Sequence, residues 1–244
     1  MASPRFYCPT KLALGAVIKL PNNSAIHASR ALRMQVGDSA TLFNGDGINY
    51  LAELVFINKN DVSVKIKSSQ TAENESPIKV TLLQGISSGD RMDFTIQKAV
   101  ELGITAIQPI ATQRSVVKLS GERAEKRREH WQNIAISASE QSGRAFIPTV
   151  EAPISLPNWL SRAPNFGTRI TLAPNATQTL KTLNTPTGDI CLLIGCEGGL
   201  TDDEIQLATL HEFMPVKLGQ RILRTETAAM AALAAMQTLW GDFN

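Results

Sequence analysis

Apolar and polar residues alternate in short runs over the first third of the chain, and that two-residue period predicts strands. The runs cover residues 17–20, 40–43, 48–57 and 62–67. The last is the clearest, with Val62, Val64 and Ile66 set against Ser63, Lys65 and Lys67. Gly45-Asp46-Gly47 and residues 58–61 supply the turns between runs. One helical patch, residues 24–34, interrupts them and carries Arg30 and Arg33. Several short strands with a single helix predict a small β-barrel. Residues 68–77, SSQTAENESP, are polar, aperiodic and closed by proline, which is the composition of a linker. The expected division is therefore residues 1–70 as a first domain, 71–77 as the connection and 78–244 as a second domain.

Beyond the linker, strand and helix patterns alternate. A strand at 79–84 precedes a helix at 90–102, with Met92, Ile96, Ala99 and Gly103 along one face and Gly103 where a glycine ends a helix. A strand at 106–110 leads to an amphipathic helix at 122–142, with Trp131, Ile134, Ala135 and Ala138 at core spacing and Gly143 at its end. The charged first half of that helix, ERAEKRREH, mixes both signs as a solvated face does. Further strands are expected at 169–172, 189–194 and 214–217. This rhythm predicts an α/β domain, a mainly parallel sheet covered by helices. Residues 218–240, LGQRILRTETAAMAALAAMQTLW, open with a turn bearing Arg221 and Arg224 and continue as a helix of Ala, Leu and Met. Thr225 is its expected N-cap, with Glu226 in the first turn.

Composition narrows the class. A chain of 244 residues with 43% hydrophobic and 19% charged residues is ordinary for a globular protein of one large or two smaller domains. Net charge is only +2, so a nucleic-acid partner would have to meet a local basic patch. Arg5, Lys11, Lys19, Arg30 and Arg33 tint the first domain basic, a distribution that a solvated surface also produces. Cys8, Cys191 and Cys196, with three scattered histidines, fit neither a disulfide framework nor a zinc site, and no metal is expected. MASPRFYCPT has no apolar run of signal-peptide length, and Gln237 and Thr238 break the Ala-rich run short of a membrane span. The expected address is the cytoplasm.

Two loops at strand ends hold the candidate chemistry. In residues 192–204, LLIGCEGGLTDDE, an apolar strand runs into Gly195 and Gly198-Gly199, and Thr201 with Glu204 forms a capping box that announces a helix. Such glycines let backbone approach a ligand at the carboxyl end of a strand, where open α/β sheets bind, although a tight turn alone uses the same residues. A phosphate cradle is disfavoured: GK[ST] is missing and Glu197 would repel a polyphosphate. G-x-G-x-x-G is missing too, which sets aside a dinucleotide fold. A neutral or partly cationic ligand fits better. The second loop, residues 218–228, follows one helix and one strand later, so the two can face a shared crevice. Its Arg221 and Arg224, set among Leu218, Ile222 and Leu223, read as a loop pinned at both ends and presented to a ligand.

The glycine turn at 195–199, the stretch 218–228, RMDFTIQKAVELG at 91–103 and EQSGR at 140–144 together resemble the ribosomal RNA small subunit methyltransferase E family. The resemblance runs over essentially the whole chain, and LGQRILRTETA is its most specific part. Arg5-Phe6-Tyr7 and Arg30-Ala31-Leu32-Arg33-Met34 are similar to that family's PUA-like RNA-binding domain. It implies a SPOUT-type parallel sheet with a C-terminal trefoil knot, S-adenosylmethionine as methyl donor, and a homodimer. The implied substrate is N3 of a uridine in small-subunit (16S) ribosomal RNA, in the assembled or nearly assembled particle.

Cofactor contacts, largely through backbone, are implied at Leu172, Ile194, Gly195, Cys196, Glu197, Gly198 and Gly199. The second loop adds Leu218, Gly219, Ile222, Leu223, Thr225, Glu226, Thr227 and Ala228. RNA contacts fall on Arg5, Arg30, Arg33, Arg91, Lys98 and Arg114. One departure stands out: the family has Gly-Pro-Glu-Gly-Gly where this chain has Gly195-Cys196-Glu197-Gly198-Gly199, without the ring that stiffens the turn.

Methylation of an imide nitrogen requires loss of its proton, and a cation near the uracil carbonyls stabilises the anion. Arg224, between Leu223 and Thr225, is the first candidate, its alternative role being an ion pair with Glu226 or Glu197. Glu140 and Arg144 are secondary catalytic candidates. A rival reading keeps the two-domain build and the RNA affinity without catalysis, as a ribosome-assembly protein. An intact S-adenosylmethionine pocket separates the two. A nucleotide hydrolase is set aside by the missing phosphate and magnesium ligands.

Overall fold

The alternating runs of the N-terminal region pair with one another in the computed structural model, which describes residues 3–162 and 165–243. Strands β1 (Arg5–Tyr7), β2 (Val17–Lys19), β3 (Ser39–Phe43), β4 (Ile48–Ile57) and β5 (Val62–Thr71) form a five-stranded sheet in the order β1-β3-β4-β5-β2. All pairs are antiparallel except β1 with β3. Phe6, Leu42, Leu54, Val62, Val64 and Ile66 fill its core, so the two-residue period separates core from surface as the alternation requires. β1 and β2 end the path and no ladder joins them among the described residues. In its hydrogen bonding the expected barrel is thus an open sheet.

Two further expectations for this region are corrected. The helical patch is shorter than residues 24–34: α1 (Asn22–Ile26) passes into a π-helical turn, His27–Ala31, and stops. Arg33 has a φ of 51°, a left-handed conformation through which a right-handed helix cannot continue. The supposed linker is also partly strand. β5 runs on to Thr71 because the long β4 offers partners, Ile48 opposite Thr71 and Tyr50 opposite Ser69. Polar composition did not prevent pairing where a partner strand was already in place.

The compact unit built on this sheet comprises residues 1–75 together with 139–147. Within it Tyr7 N–H donates to Glu140 Oε1 at 2.7 Å, and Gly47 N–H donates to the Ala145 carbonyl at 3.3 Å. The second unit holds residues 76–138 and 148–244. In chain order it carries β6 (Val80–Gly85), α2 (Asp90–Glu101), β7 (Ala106–Ala111), most of α3 (Gly121–Ser142), β8 (Thr149–Val150) and β9 (Ile154–Ser155). There follow α4 (Leu156–Ser161), β10 (Thr168–Leu172), β11 (Ile190–Ile194), α5 (Asp202–Leu210), β12 (Met214–Val216) and α6 (Thr225–Trp240).

The second sheet has seven parallel strands in the order β12-β10-β11-β6-β7-β8, with β9 also on β7. Leu82, Ile107 and Leu192 pack on one face with Met92, Ile96, Trp131, Leu233 and Met236 of α2, α3 and α6. Leu83, Cys191 and Leu193 pack on the other with Leu156, Trp159 and Ala208 of α4 and α5. Burial on both faces is why ICLLI reads as an unbroken apolar run and VTLLQG carries adjacent leucines rather than an alternation. β8, β9 and α4 were not foreseen; two-residue strands have no period to detect. Among the described residues no helix is long and apolar enough to cross a membrane.

Candidate functional site

β10, β11 and β12 are adjacent and parallel, so their carboxyl ends lie along one edge of the sheet. The three loops that leave them line a cavity of about 910 Å³, with Leu172, Ile194 and Val216, the last residues of the strands, on its wall. The two loops singled out from sequence do share this crevice. The third, residues 173–178 after β10, was marked only by Leu172. Its Pro174-Asn175 at a strand's carboxyl end was the signal that could have found it.

Backbone packing shapes the glycine turn. A Cβ on Gly195 would lie 2.5 Å from the Gly199 carbonyl carbon, so only glycine fits there. Gly199 N–H donates to the Cys196 carbonyl at 2.8 Å and closes the turn. The Cys196 thiol is buried and accepts from Thr112 Oγ1 at 3.4 Å, which supports this side chain within the turn. Thr201 and Glu204 form the expected reciprocal cap of α5, through Glu204 N–H to Thr201 Oγ1 and Thr201 N–H to Glu204 Oε2. The other Glu204 oxygen accepts from Gln113 N–H at 2.8 Å.

Glu197 does not face a ligand with a free charge. Its Oε1 accepts from Ser88 N–H and Ser88 Oγ at 2.7 Å each and from Arg91 Nη1 at 2.9 Å. Partial burial opposes ionisation, but those donors outweigh it and hold the carboxyl down to about 2. Arg114, which also lines the cavity, donates from Nη1 to the carbonyls of Gly198 at 2.8 Å and Leu200 at 3.3 Å and so clamps the same turn. Of the cations expected to meet RNA in this unit, Arg91 and Arg114 thus brace the glycine turn, and Lys98 pairs with Glu101 at 2.8 Å.

The second loop divides by helical geometry. Leu218, Gly219, Ile222 and Leu223 line the cavity, as do Thr225 and Ala228, three residues apart on one face of α6. Arg224, Glu226 and Thr227 are not on its lining. Thr225 is not the cap it was expected to be: Arg224 occupies the N-cap position without a capping side-chain bond, and Thr225 is the first helical residue. Its Oγ1 donates to the Gly195 carbonyl at 2.6 Å and accepts from Gln84 Nε2 at 2.9 Å. Arg224 is exposed, and among the described residues it pairs with neither Glu226 nor Glu197. Glu226 Oε2 is shielded from solvent without a hydrogen-bond partner. Arg221, read from sequence as presented to a ligand, also lines the cavity, as do Asp202, Ile205 and Gln178, which were not singled out.

The remaining candidates belong to the first unit. Arg144 is buried and its Nη2 and Nε lie 2.6 and 3.0 Å from Glu75 Oε2, an ion pair that uses its guanidinium internally. Burial raises the Glu140 carboxyl, offset in part by the Tyr7 N–H it accepts. Neither residue lines the cavity. Arg5 donates to the Arg144 carbonyl at 3.1 Å and lies 5.1 Å from the centre of the Phe43 ring, while Arg30 donates to Asn60 at 3.0 Å. Arg33 is exposed on its left-handed turn. No group of three or more potential metal ligands occurs among the described residues.

The comparisons with known proteins agree with this geometry. Residues 74–237 match the model of an RNA methyltransferase domain and residues 20–67 that of an RNA methyltransferase PUA domain. A ribosomal RNA small subunit methyltransferase E from Neisseria gonorrhoeae, solved bound to S-adenosyl methionine, is 46% identical, with a TM-score of 0.94 over 100% of both chains. A structure from Legionella pneumophila with the bound cofactor SAM is 38% identical, with a TM-score of 0.95 over 100% of both chains. The ribosomal RNA small subunit methyltransferase E of Buchnera aphidicola (strain Sg) is 36% identical over 99% of this chain and 98% of its own. With one family model spanning more than half the chain and relatives matching end to end, the chain belongs to the ribosomal RNA small subunit methyltransferase E family.

Proposed function

We propose that this protein uses S-adenosylmethionine to methylate N3 of a uridine in small-subunit (16S) ribosomal RNA, acting on the assembled or nearly assembled small subunit. The observation that carries the reading is the three-loop cavity at the carboxyl ends of β10, β11 and β12, in a chain 46% identical to a relative solved with S-adenosyl methionine bound. The residues present fit such a ligand. About 910 Å³ lies within the range of small-molecule sites, and walls of loop backbone, Leu172, Ile194, Ile222 and Leu223 suit an apolar heterocycle with a few polar edges.

S-adenosylmethionine, when bound, supplies an electrophilic methyl group. The glycine turn and residues 218–223 hold and orient it mainly through backbone groups, and Thr225 and Ala228 close the wall beneath. Arg224 is assigned as the cation that stabilises the uracil as it loses its N3 proton, a role supported by its exposure and by its having no ion-pair partner among the described residues. Arg144, which is buried against Glu75, and Glu140, which holds the Tyr7 N–H, keep residues 139–147 in place.

RNA binding is assigned to the unit of residues 1–75 with 139–147, and methyl transfer to the unit of 76–138 with 148–244. Arg30 and Arg33, both exposed, are the first unit's RNA contacts. A C-terminal trefoil knot is supported by the strand order, in which β11 lies between β6 and β10 while β12 returns outside β10. A homodimer through α6 is supported by its exposed small face, Ala231 and Thr238, beside Leu239 at 43% exposure. The protein acts in the cytoplasm, where its substrate is made. Transfer of a labelled methyl group to small-subunit particles, with the modified nucleotide mapped, tests the reading. Label at uridine N3 is expected; cofactor binding without transfer to any RNA would replace catalysis with an assembly role.

A further inference from the structure

We propose that Gln84, which does not line the cavity, is a positioning residue that sets the two cofactor loops at their working separation through Thr225. The inference rests on the functional reading above. Gln84 lies near the carboxyl end of β6, the strand beside β11, and is 0% exposed. Its Nε2 donates to Thr225 Oγ1 at 2.9 Å, and Thr225 Oγ1 donates onward to the Gly195 carbonyl at 2.6 Å. The direction is fixed: a carbonyl only accepts, so the threonine proton goes to Gly195 and its oxygen receives the amide. Nε2 also donates to the Gly85 carbonyl at 3.1 Å and lies 3.5 Å from that of Gly195. Reversing the amide would set oxygen against both carbonyls.

Three segments distant in sequence meet at this relay: the end of β6, the turn after β11 and the first residue of α6. The first two are in backbone contact, since a Cβ on Gly85 would lie 2.2 Å from Cys196 N. β6 is therefore a fixed platform behind the glycine turn. Gly195 and Thr225 line the cavity and Gln84 does not, so the amide acts from behind the wall on both loops at once. Arg224, the N-cap residue immediately before Thr225, has its backbone fixed by the same bond. A residue that merely filled the core would change the melting temperature. One that spaces the loops must also change cofactor affinity and turnover in the folded protein.

The test compares the full-length wild type with Gln84→Met, which keeps side-chain length without the amide, Thr225→Val, Thr225→Ser and the double variant Gln84→Met/Thr225→Val. Calorimetric titration with S-adenosylmethionine gives Kd, labelled transfer to small-subunit particles at saturating cofactor gives kcat, and thermal melting reports folding. Gln84→Met and Thr225→Val are each expected to raise Kd and lower kcat on the order of tenfold, the scale of a small misplacement of bound groups. The double variant should be no worse than the more impaired single, as for two parts of one relay, and Thr225→Ser, which keeps the hydroxyl, should lose markedly less than Thr225→Val. Wild-type Kd and kcat in both single variants, or effects that multiply in the double, overturn the relay. If Gln84→Met does not fold, the threonine pair decides: a tenfold split between Val and Ser supports the relay and equality overturns it. A wild-type protein that fails to bind S-adenosylmethionine removes the functional reading and the relay together, whereas wild-type binding with unaltered variants removes the relay alone.

Discussion

Arg91 Nη1 donates to Glu197 Oε1 across 2.9 Å, tying the first turn of α2 to the glycine turn after β11. The contact joins residues 106 apart in sequence and fixes one wall of the cavity from outside.

A pH dependence follows from this tie. The Glu197 carboxyl is held from its ordinary 4.5 down to about 2 in the folded protein. A depressed carboxylate contributes its full stabilisation above the unfolded value and loses it as pH falls through the folded one. The melting temperature of wild type should therefore exceed that of Glu197→Gln above pH 4.5, with the gap closing between 4.5 and about 2. Thermal melts of both proteins across this range check it. A gap that stays constant to pH 2 would show that the charge does not matter.

Arg224→Ala is expected to lower methyl transfer by about 10²-fold, the scale of removing one donor that stabilises developing charge. Affinity for S-adenosylmethionine should not change, because Arg224 is exposed and off the cavity lining. Steady-state kinetics alongside calorimetry separates the two quantities. Wild-type turnover in the variant would end the assignment.

Glu75→Gln should act on stability rather than chemistry. It leaves the Arg144 side chain, 6% exposed, without its anionic partner, which itself is 29% exposed. Removing one member of a buried pair costs about 3–5 kcal/mol, and water reaching this site lowers the expected loss to about 2–3 kcal/mol. Urea denaturation measures it. Methyl transfer per folded molecule should be retained; a kcat loss at unchanged stability would instead place Arg144 at the substrate.

Cys196→Pro puts a ring at the turn position where the resemblance to the family implies proline. Proline restricts φ, and where the native angle is compatible it stabilises by about 0.4–1 kcal/mol. Loss of the thiol removes its 3.9 Å bond to the Gly199 carbonyl and the 3.4 Å bond from Thr112, whose hydroxyl keeps Ser115 Oγ at 2.9 Å. Retained cofactor affinity is the expected calorimetric result. A loss beyond roughly tenfold, about 1.4 kcal/mol, would mean that the Cys196 N–H or thiol serves the ligand directly.

Sequence by itself determined whatever depends on near neighbours. The short apolar runs around VTLLQG and ICLLI read as strands, and Thr201 with Glu204 caps α5 through atoms three residues apart. The glycine turn and residues 218–228 carried the family's pattern in their own letters, and both line the cavity. Tertiary structure decided whatever depends on partners far along the chain. β8 and β9 exist because β7 pairs with them, and residues 68–71 are strand because β4 lies alongside. Arg91, Arg114 and Arg144 looked like cations free for RNA or catalysis, yet each meets an internal acceptor 69 to 106 residues away. Thr225 shows the limit most plainly. Locally it has every qualification of a helix cap, but its one hydroxyl proton goes to Gly195, 30 residues back, because folding brings that carbonyl within reach.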